Sequence, residues 1–393
     1  MIFDRLFQLM AERQASDIFV TSGAPIQIKI NGAIVPINQQ IMEPVVIQKM
    51  GYELLSPEQV TAFERDRELN ISFGRKGLGN FRINFFWQRS SMAIVVRYIQ
   101  SEIPALHQLG LPEVLQEIIL EKRGLVLVVG ATGSGKSTTI ASMLDYRNQN
   151  QSGHILTVED PVEYLFQHKR SIINQREVGF DTHGWAQALK NALRQAPDVI
   201  LIGEIRDLDT MKAAISYAQS GHLVVATLHA NNSYHALNRI SSFFPLENRA
   251  LLNLDLSVAL KSIISQRLVR LPDGSRIPTV EILMNTRHVA DLIERGEFNG
   301  VKEAMEQSLA PGSQTFEQHL YELYSNEVIT LDEAMQNSDS PTNFSWLVNN
   351  SQKKDSQSAQ TPGGTASSLV EFEPAEDDGT SFSSFTLHME EPS

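Results

Sequence analysis

The chain has 393 residues, no cysteine, 42% hydrophobic residues and a formal net charge of −13. That length accommodates two or three domains with separate cores, and the missing cysteines exclude disulfides, thiolate metal sites and a cysteine nucleophile. The acidic balance argues against a nucleic-acid translocase, which carries a basic stripe, and no apolar run reaches the roughly 18 residues of a membrane span.

The opening residues, MIFDRLFQLMAERQ, place apolar side chains at helical spacing and lack a basic leader and a small-residue cleavage site. An amphipathic surface helix is expected rather than a signal peptide, and with it a cytoplasmic location. IQIKI at 26–30 alternates strictly, and Asn31-Gly32 supplies a type I′ turn before AIV at 33–35. A second strand pair, 81–87 and 93–99, flanks a polar turn at 88–91, and residues 41–67 between the pairs are helical in composition. Residues 1–103 therefore predict an α+β domain, a small sheet covered by helices.

A linker helix is expected over 109–122, followed by LVLVVGATGSGKST at 125–138. A buried strand runs into Gly130, and Gly135-Lys136-Ser137 completes the spacing of a P-loop between strand and helix. Glycines let the backbone curl until its N–H groups face phosphates, and the next helix adds its positive end. The nucleotide contacts are assigned to Gly130, Thr132, Gly133, Ser134, Gly135, Lys136, Ser137 and Thr138. Lys136 reaches the β- and γ-phosphates of ATP and the Ser137 hydroxyl binds Mg²⁺.

Short β-branched runs at 125–129, 155–158, 199–202 and 223–226, separated by helical stretches such as 185–194 and 210–219, predict a parallel sheet covered on both faces. A mostly helical region is expected over 248–334. From Ser338 the chain is rich in Ser, Asn, Gln, Thr, Pro and Gly, and from Ser351 eight acids face two lysines. That composition predicts a disordered acidic tail, in which apolar islands at 369–372 and 382–387 are candidate docking segments.

Polar residues follow each predicted strand: Glu159, Asp160 and Glu163; then Glu204, Arg206 and Asp207; then Thr227 and His229, with His222 just before the last strand. In a doubly wound sheet the strand ends line the ligand crevice. Carboxylates beside a P-loop hold Mg²⁺ or polarise the attacking water, and histidines sense the γ-phosphate. All are expected at the same end of the sheet as the P-loop.

The runs GATGSGKST, ILTVEDPVEY, NALRQAPDVILIGEIRD and SGHLVVATLHANN resemble, in order and spacing, the Walker A, Asp box, Walker B and His box of the secretion and type IV pilus ATPases. NRISSFFP and KSIISQRL extend the resemblance over roughly residues 5–335. It implies an α/β fold: a RecA-like ATPase domain over 124–337 behind a PAS-like N-terminal domain, 104–123 linking them and a tail from 338. It also implies a hexameric ATPase. By motif, Glu163 is the general base, Glu204 the acid supporting Mg²⁺, and His222 and His229 couple the γ-phosphate to conformation. Arg82 in FRIN and Arg97 in VVRY match the family's arginine fingers.

The absent four-cysteine element and the lack of an extra N-terminal domain resemble the retraction branch, the PilT/PilU family. HVADLIERG at 288–296 keeps Leu292, Ile293 and Glu294 of the retraction motif but loses its central Arg-Asn, and Phe19 stands where that branch has His. These departures and the acidic tail resemble the accessory, PilU-like members. The implied partners are a PilT-like ATPase and the inner-membrane platform of the pilus, which places the chain peripherally at that membrane. The alternative is a nucleotide-binding scaffold that stabilises another pilus motor without turnover.

Overall fold

The structure, a computed structural model, describes residues 2–358 apart from Asn31, Lys76, Gly77, Gln100 and Ser101. Asn31 of the predicted turn and the islands at 369–372 and 382–387 lie outside the described residues.

Helix α1 (Ile2–Arg13) turns Phe3, Leu6, Phe7 and Met10 inward, the i, i+3, i+4, i+7 positions of one face. Phe7 stacks on Phe81 with ring centroids 4.2 Å apart, so the helix closes the core of the first sheet. That sheet comprises β1 (Asp17–Val20), β2 (Gln27–Ile30), β3 (Ala33–Pro36), then, after helices α2 (Pro44–Tyr52) and α3 (Pro57–Asp66), β4 (Glu68–Arg75), β5 (Gly79–Gln88) and β6 (Ser91–Ile99). It is antiparallel, in the order β3-β2-β1-β6-β5-β4. The expected pairs β2/β3 and β5/β6 are present. Strands β1 and β4 were not expected: one is only four residues long, and the other, ELNISFGR, is a polar edge.

The expected linker helix is instead a 3-10 turn, Leu106–Leu109, and a short helix α4 (Val114–Leu120). Gly110, at φ 65°, and Pro112 interrupt it. Leu115 and Ile119 of α4 are fully buried in the core under the second sheet. The segment is packed against that sheet, not free between two domains.

The second sheet and its helices are β7 (Gly124–Val129), α5 (Lys136–Asn150), β8 (Gly153–Glu159), β9 (Ser171–Glu177), α6 (Trp185–Ala192), β10 (Val199–Ile202), α7 (Leu208–Gln219), β11 (Leu223–Leu228), α8 (Ser233–Ser242) and α9 (Arg249–Ala259). Then come β12 (Leu260–Arg270), β13 (Arg276–Met284) and helices α10 (Arg287–Arg295), α11 (Val301–Glu306), α12 (Phe316–Ser325), α13 (Leu331–Asn337) and α14 (Pro341–Ser358). Strand order is β13-β12-β7-β11-β10-β8-β9, all parallel except β13. Every residue of β7, β10 and β11 is buried, as continuous apolar runs require when both faces are covered.

The expectation of a helical 248–334 is corrected by the second sheet. Residues 260–284 form a hairpin, and β12 lies parallel against β7, where the β-branched residues of KSIISQRLVR fill a slot between β7 and β13. Strand β9, at the other edge, is also absent from the expected set. The segment from Ser338, expected to lack structure, carries α14 as far as Ser358, and the residues after it lie outside the described ones. Phe344 is fully buried and meets Tyr324 edge-on at 6.4 Å. Residues 346–358, the remainder of α14, form a unit of their own.

Phe344→Ala should therefore destabilise the protein by about 3 kcal/mol, the usual cost of emptying a buried phenylalanine site. A thermal melt showing no loss would place Phe344 outside the core.

Candidate functional site

Strand β7 ends at Val129, and its neighbour β12 pairs Ser265 with Val129, which sets Gln266 beside Gly130. A Cβ on Gly130 would sit 2.5 Å from the Gln266 carbonyl oxygen, and one on Gly135 2.8 Å from the Gln266 Nε2. Gly130, Gly133 and Gly135 also take φ of 156°, 80° and 87°, a region closed to most side chains. Helix α5 starts with Gly135 as its N-cap and no side chain capping it, which leaves the first-turn N–H groups free for an anion.

Lys136 Nζ donates to the Gly130 and Ala131 carbonyls, each at 2.9 Å. Burial pushes its pKa down, while Glu204 and Glu163 push it up. A desolvated ammonium held only by loop carbonyls is poised to exchange them for phosphate oxygens. The buried Ser134 hydroxyl has no partner, and the Thr138 hydroxyl lies 2.8 Å from that of Tyr164. The loop fits a triphosphate through backbone amides and Lys136.

Parallel register carries the acids to the same edge. Val158, Ile202 and Ala226 lie level with Leu127, so Glu159, Glu204 and His229 all project past the strand ends, as Gly130 does. Glu159 and Glu163 line a cavity of about 40 Å³ with Ser137, Tyr164, Gly203 and Thr227. Burial raises the Glu159 pKa to about 7, against the hydrogen bonds from Thr157 (2.6 Å) and Gln175 (3.3 Å). Glu204 accepts from Arg206 Nε at 2.6 Å, and its other oxygen lies 3.1 Å from His229 Nε2.

His222 is a correction. It precedes β11, its Nδ1 facing Ser220 Oγ (3.1 Å) and the Tyr217 carbonyl (3.3 Å), and its carbonyl accepts from the Gly124 N–H at the start of β7. The length of β11, roughly 20 Å of extended chain, separates it from His229. In a parallel sheet a residue before a strand lies at the edge opposite the P-loop, so His222 does not reach this chain's own phosphate site.

Arg82 and Arg97 form a cross-strand pair on β5 and β6, with Asp17 of β1 next in the row. Two like charges in register repel, and each is held by an acid. Arg97 Nε donates to Asp17 at 3.0 Å, and Arg82 donates to Glu177 at the end of β9. Glu177 also accepts from the Val162 N–H at 3.2 Å. Its pKa is raised, chiefly by burial, with Arg82 opposing. Both arginines line a cleft of about 800 Å³ together with Glu163 and Tyr164.

Gln266, Tyr164 and Glu177 are not singled out by sequence. Gln266 and Glu177 lie on strands outside the expected set, and a hydroxyl contact such as Tyr164–Thr138 leaves no trace in spacing. Among the described residues no group of three or more His, Asp or Glu side chains forms a ready metal cage. Ser137 beside Glu159 and Glu163 suits an ion held largely by phosphates and water, as Mg²⁺ is.

A family model described as type II/IV secretion system protein matches residues 1–361, and the chain belongs to that family. It is 44% identical to the type IV pilus ATPase PilU of Pseudomonas aeruginosa, covering 88% of this chain and 91% of the relative. It is 37% identical to the type IV pilus retraction ATPase PilT of the same organism, covering 86% and 98%. Its fold matches a crystal structure of the pilus retraction motor PilT with bound ADP at a TM-score of 0.80 and 42% identity, over 86% of this chain and 97% of that one. Among the described residues no helix is long and apolar enough to cross a membrane.

Glu159 keeps its proton to about pH 7 when folded, against an ordinary value of 4.5. The folded state thus binds the proton more tightly, and the resulting stabilisation is full below pH 4.5 and lost as pH rises through 7. In thermal melts between pH 5 and about 7.5, Glu159→Gln should show a flatter decline than the unmodified chain. Parallel slopes would mean that Glu159 is ionised in the fold.

Proposed function

We propose that this chain is a Mg²⁺-dependent ATPase motor of the type IV pilus system. It acts in pilus retraction as a ring of six, beside a PilT-like ATPase and the inner-membrane pilus platform. The observation that carries the reading is the meeting of an uncapped P-loop with Glu163 and the Glu204–His229 pair, with two arginines of another sheet lining the same cleft as Glu163. The likeness to PilU, a pilus ATPase by name, and to an ADP-bound PilT supports both the reaction and the setting.

In this reading the loop amides and Lys136 bind the phosphates, and Ser137 would hold a Mg²⁺ ion, which would supply neutralisation of the phosphate charge. Glu163, which lines both the cleft and the Ser137 cavity, accepts the proton of the attacking water. Glu204 is oriented by Arg206 and keeps His229 turned toward the P-loop edge. Arg82 and Arg97 leave their acids to meet developing charge when the cleft closes. The divergent motif HVADLIERG falls on α10, which buries Val289 and Ile293, while Ala290 and Asp291, where the central Arg-Asn is lost, are half-buried and exposed. Its changed residues thus alter a surface, which supports an accessory role in retraction over a lost ATPase.

Lys136→Ala should abolish hydrolysis and weaken nucleotide binding, whereas Glu163→Gln should bind ATP and fail to turn it over. Turnover at the unmodified rate in the glutamine variant removes Glu163 as the base. Arg97→Ala should leave ring assembly intact in sedimentation and reduce turnover by about 10³-fold, the usual scale for an arginine finger. Unchanged turnover would return Arg97 to a surface pair with Asp17.

A further inference from the structure

We infer that Gln266 is the positioning residue of the P-loop, fixing the peptide between Ser134 and Gly135 so that the Gly135 N–H faces the phosphates. The inference rests on the nucleotide-binding reading above.

Gln266 is buried on β12 and touches the loop at two places and helix α5 at a third. Its Nε2 donates to the Ser134 carbonyl at 2.8 Å, its Oε1 accepts from the Thr139 hydroxyl at 2.8 Å, and its own carbonyl lies against Gly130. A glutamine amide has one donor end and one acceptor end. The Ser134 carbonyl can only accept, so it takes the NH₂ end, and the Thr139 hydroxyl, on the first turns of α5, then donates to the Oε1 end. Thr139 thereby anchors the amide, and the amide holds the loop.

A planar trans peptide points its N–H opposite to its C=O. With the Ser134 carbonyl drawn toward Gln266, the Gly135 N–H is directed away from β12. Gly135 is the N-cap of α5, so this amide stands at the positive end of the helix, where an anion gains most. If the peptide flips, the site gains a carbonyl dipole aimed at the phosphates in place of an N–H. Lys136 cannot prevent the flip, because its Nζ bonds to the Gly130 and Ala131 carbonyls, upstream of this peptide. Among the described residues, Gln266 Nε2 is the hydrogen-bond donor recorded on the Ser134 carbonyl.

The test uses the full chain and four variants, Gln266→Met, Thr139→Val, Thr139→Ser and Lys136→Ala, each measured for MgATP affinity, KM, kcat and melting temperature without nucleotide. Gln266→Met keeps the side-chain length and loses both polar ends. It should weaken ATP affinity about tenfold, on the scale of one directed hydrogen bond to a charged ligand, with KM rising by the same factor and kcat changing less. Thr139→Val should weaken binding about threefold, since the amide loses the hydrogen bond that anchors it, and Thr139→Ser should restore it. A purely structural role would lower the melting temperature without nucleotide and leave this split between Val and Ser unseen. Affinity within twofold of the unmodified chain in both Gln266→Met and Thr139→Val overturns the inference. Should Gln266→Met fold poorly, the Thr139 pair decides alone: equal affinity of Val and Ser overturns it, and recovery by Ser supports it. If the unmodified chain and Lys136→Ala are alike in failing to bind ATP, the nucleotide reading itself falls, an outcome set apart by that comparison.

Discussion

The tightest constraint in the molecule is the contact between β12 and the end of β7. The Gln266 carbonyl occupies the space where Gly130 would carry a Cβ, and the Gln266 amide does the same at Gly135. Only glycine at both positions lets a sixth parallel strand lie beside the loop, and only that strand brings an amide to the Ser134 carbonyl. The P-loop is therefore shaped from outside as well as by its own glycines. The hairpin that supplies β12 is part of the nucleotide site, though no motif marks it.

Four charges near the phosphate site, Lys136, Glu204, Arg97 and Arg82, are held by local partners. Lys136 rests on two carbonyls, Glu204 lies between Arg206 and His229, Arg97 is held by Asp17 and Arg82 by Glu177. Glu159 has no cation beside it among the described residues, and burial raises its pKa to about 7, so below that pH it keeps its proton. An unpaired buried charge costs several kcal/mol, so the arrangement keeps the site stable before a triphosphate with its Mg²⁺ arrives. In the proposed mechanism the nucleotide exchanges partners with groups already desolvated, which limits reorganisation during the reaction.

The range of each interaction decides how much of the molecule is legible in its sequence. The P-loop, the strands at 125–129, 155–158, 199–202 and 223–226, and the acids beyond them are readable because a buried parallel strand and a phosphate loop each impose a local pattern. The same logic is overridden at His222: the sequence puts it just before the strand at 223–226, the end away from the P-loop, yet the four-box pattern groups it with the phosphate residues. Strands β9 and β12 carry polar residues at intervals, SIINQRE and LKSIISQRLVR, and their partners are distant in sequence. Glu177 and Gln266 are hidden for that reason: their roles arise from contacts with Arg82, 95 positions away, and Ser134, 132 away. The helical end to Ser358 is masked by a composition typical of disorder, because Phe344 alone supplies much of the apolar anchor before residue 346.

The two arginines differ in how readily they can act. Arg97 is largely exposed, its side chain 61% accessible, and although Asp17 is only 8% accessible it keeps the Ser16 hydroxyl as a donor at 2.9 Å, so Arg97 leaves a partly satisfied carboxylate. Arg82 and Glu177 are 13% and 9% accessible, and Glu177 also anchors the Val162 N–H beside the segment that carries Glu163. Withdrawing Arg82 would strand a buried carboxylate at a cost of about 3 to 5 kcal/mol. In the proposed mechanism Arg97 is thus released first, and Arg82 ties the first sheet to the loop of the base until it leaves in turn. Arg82 can leave only when another cation or proton reaches Glu177, and a raised carboxyl pKa makes the proton the easier replacement.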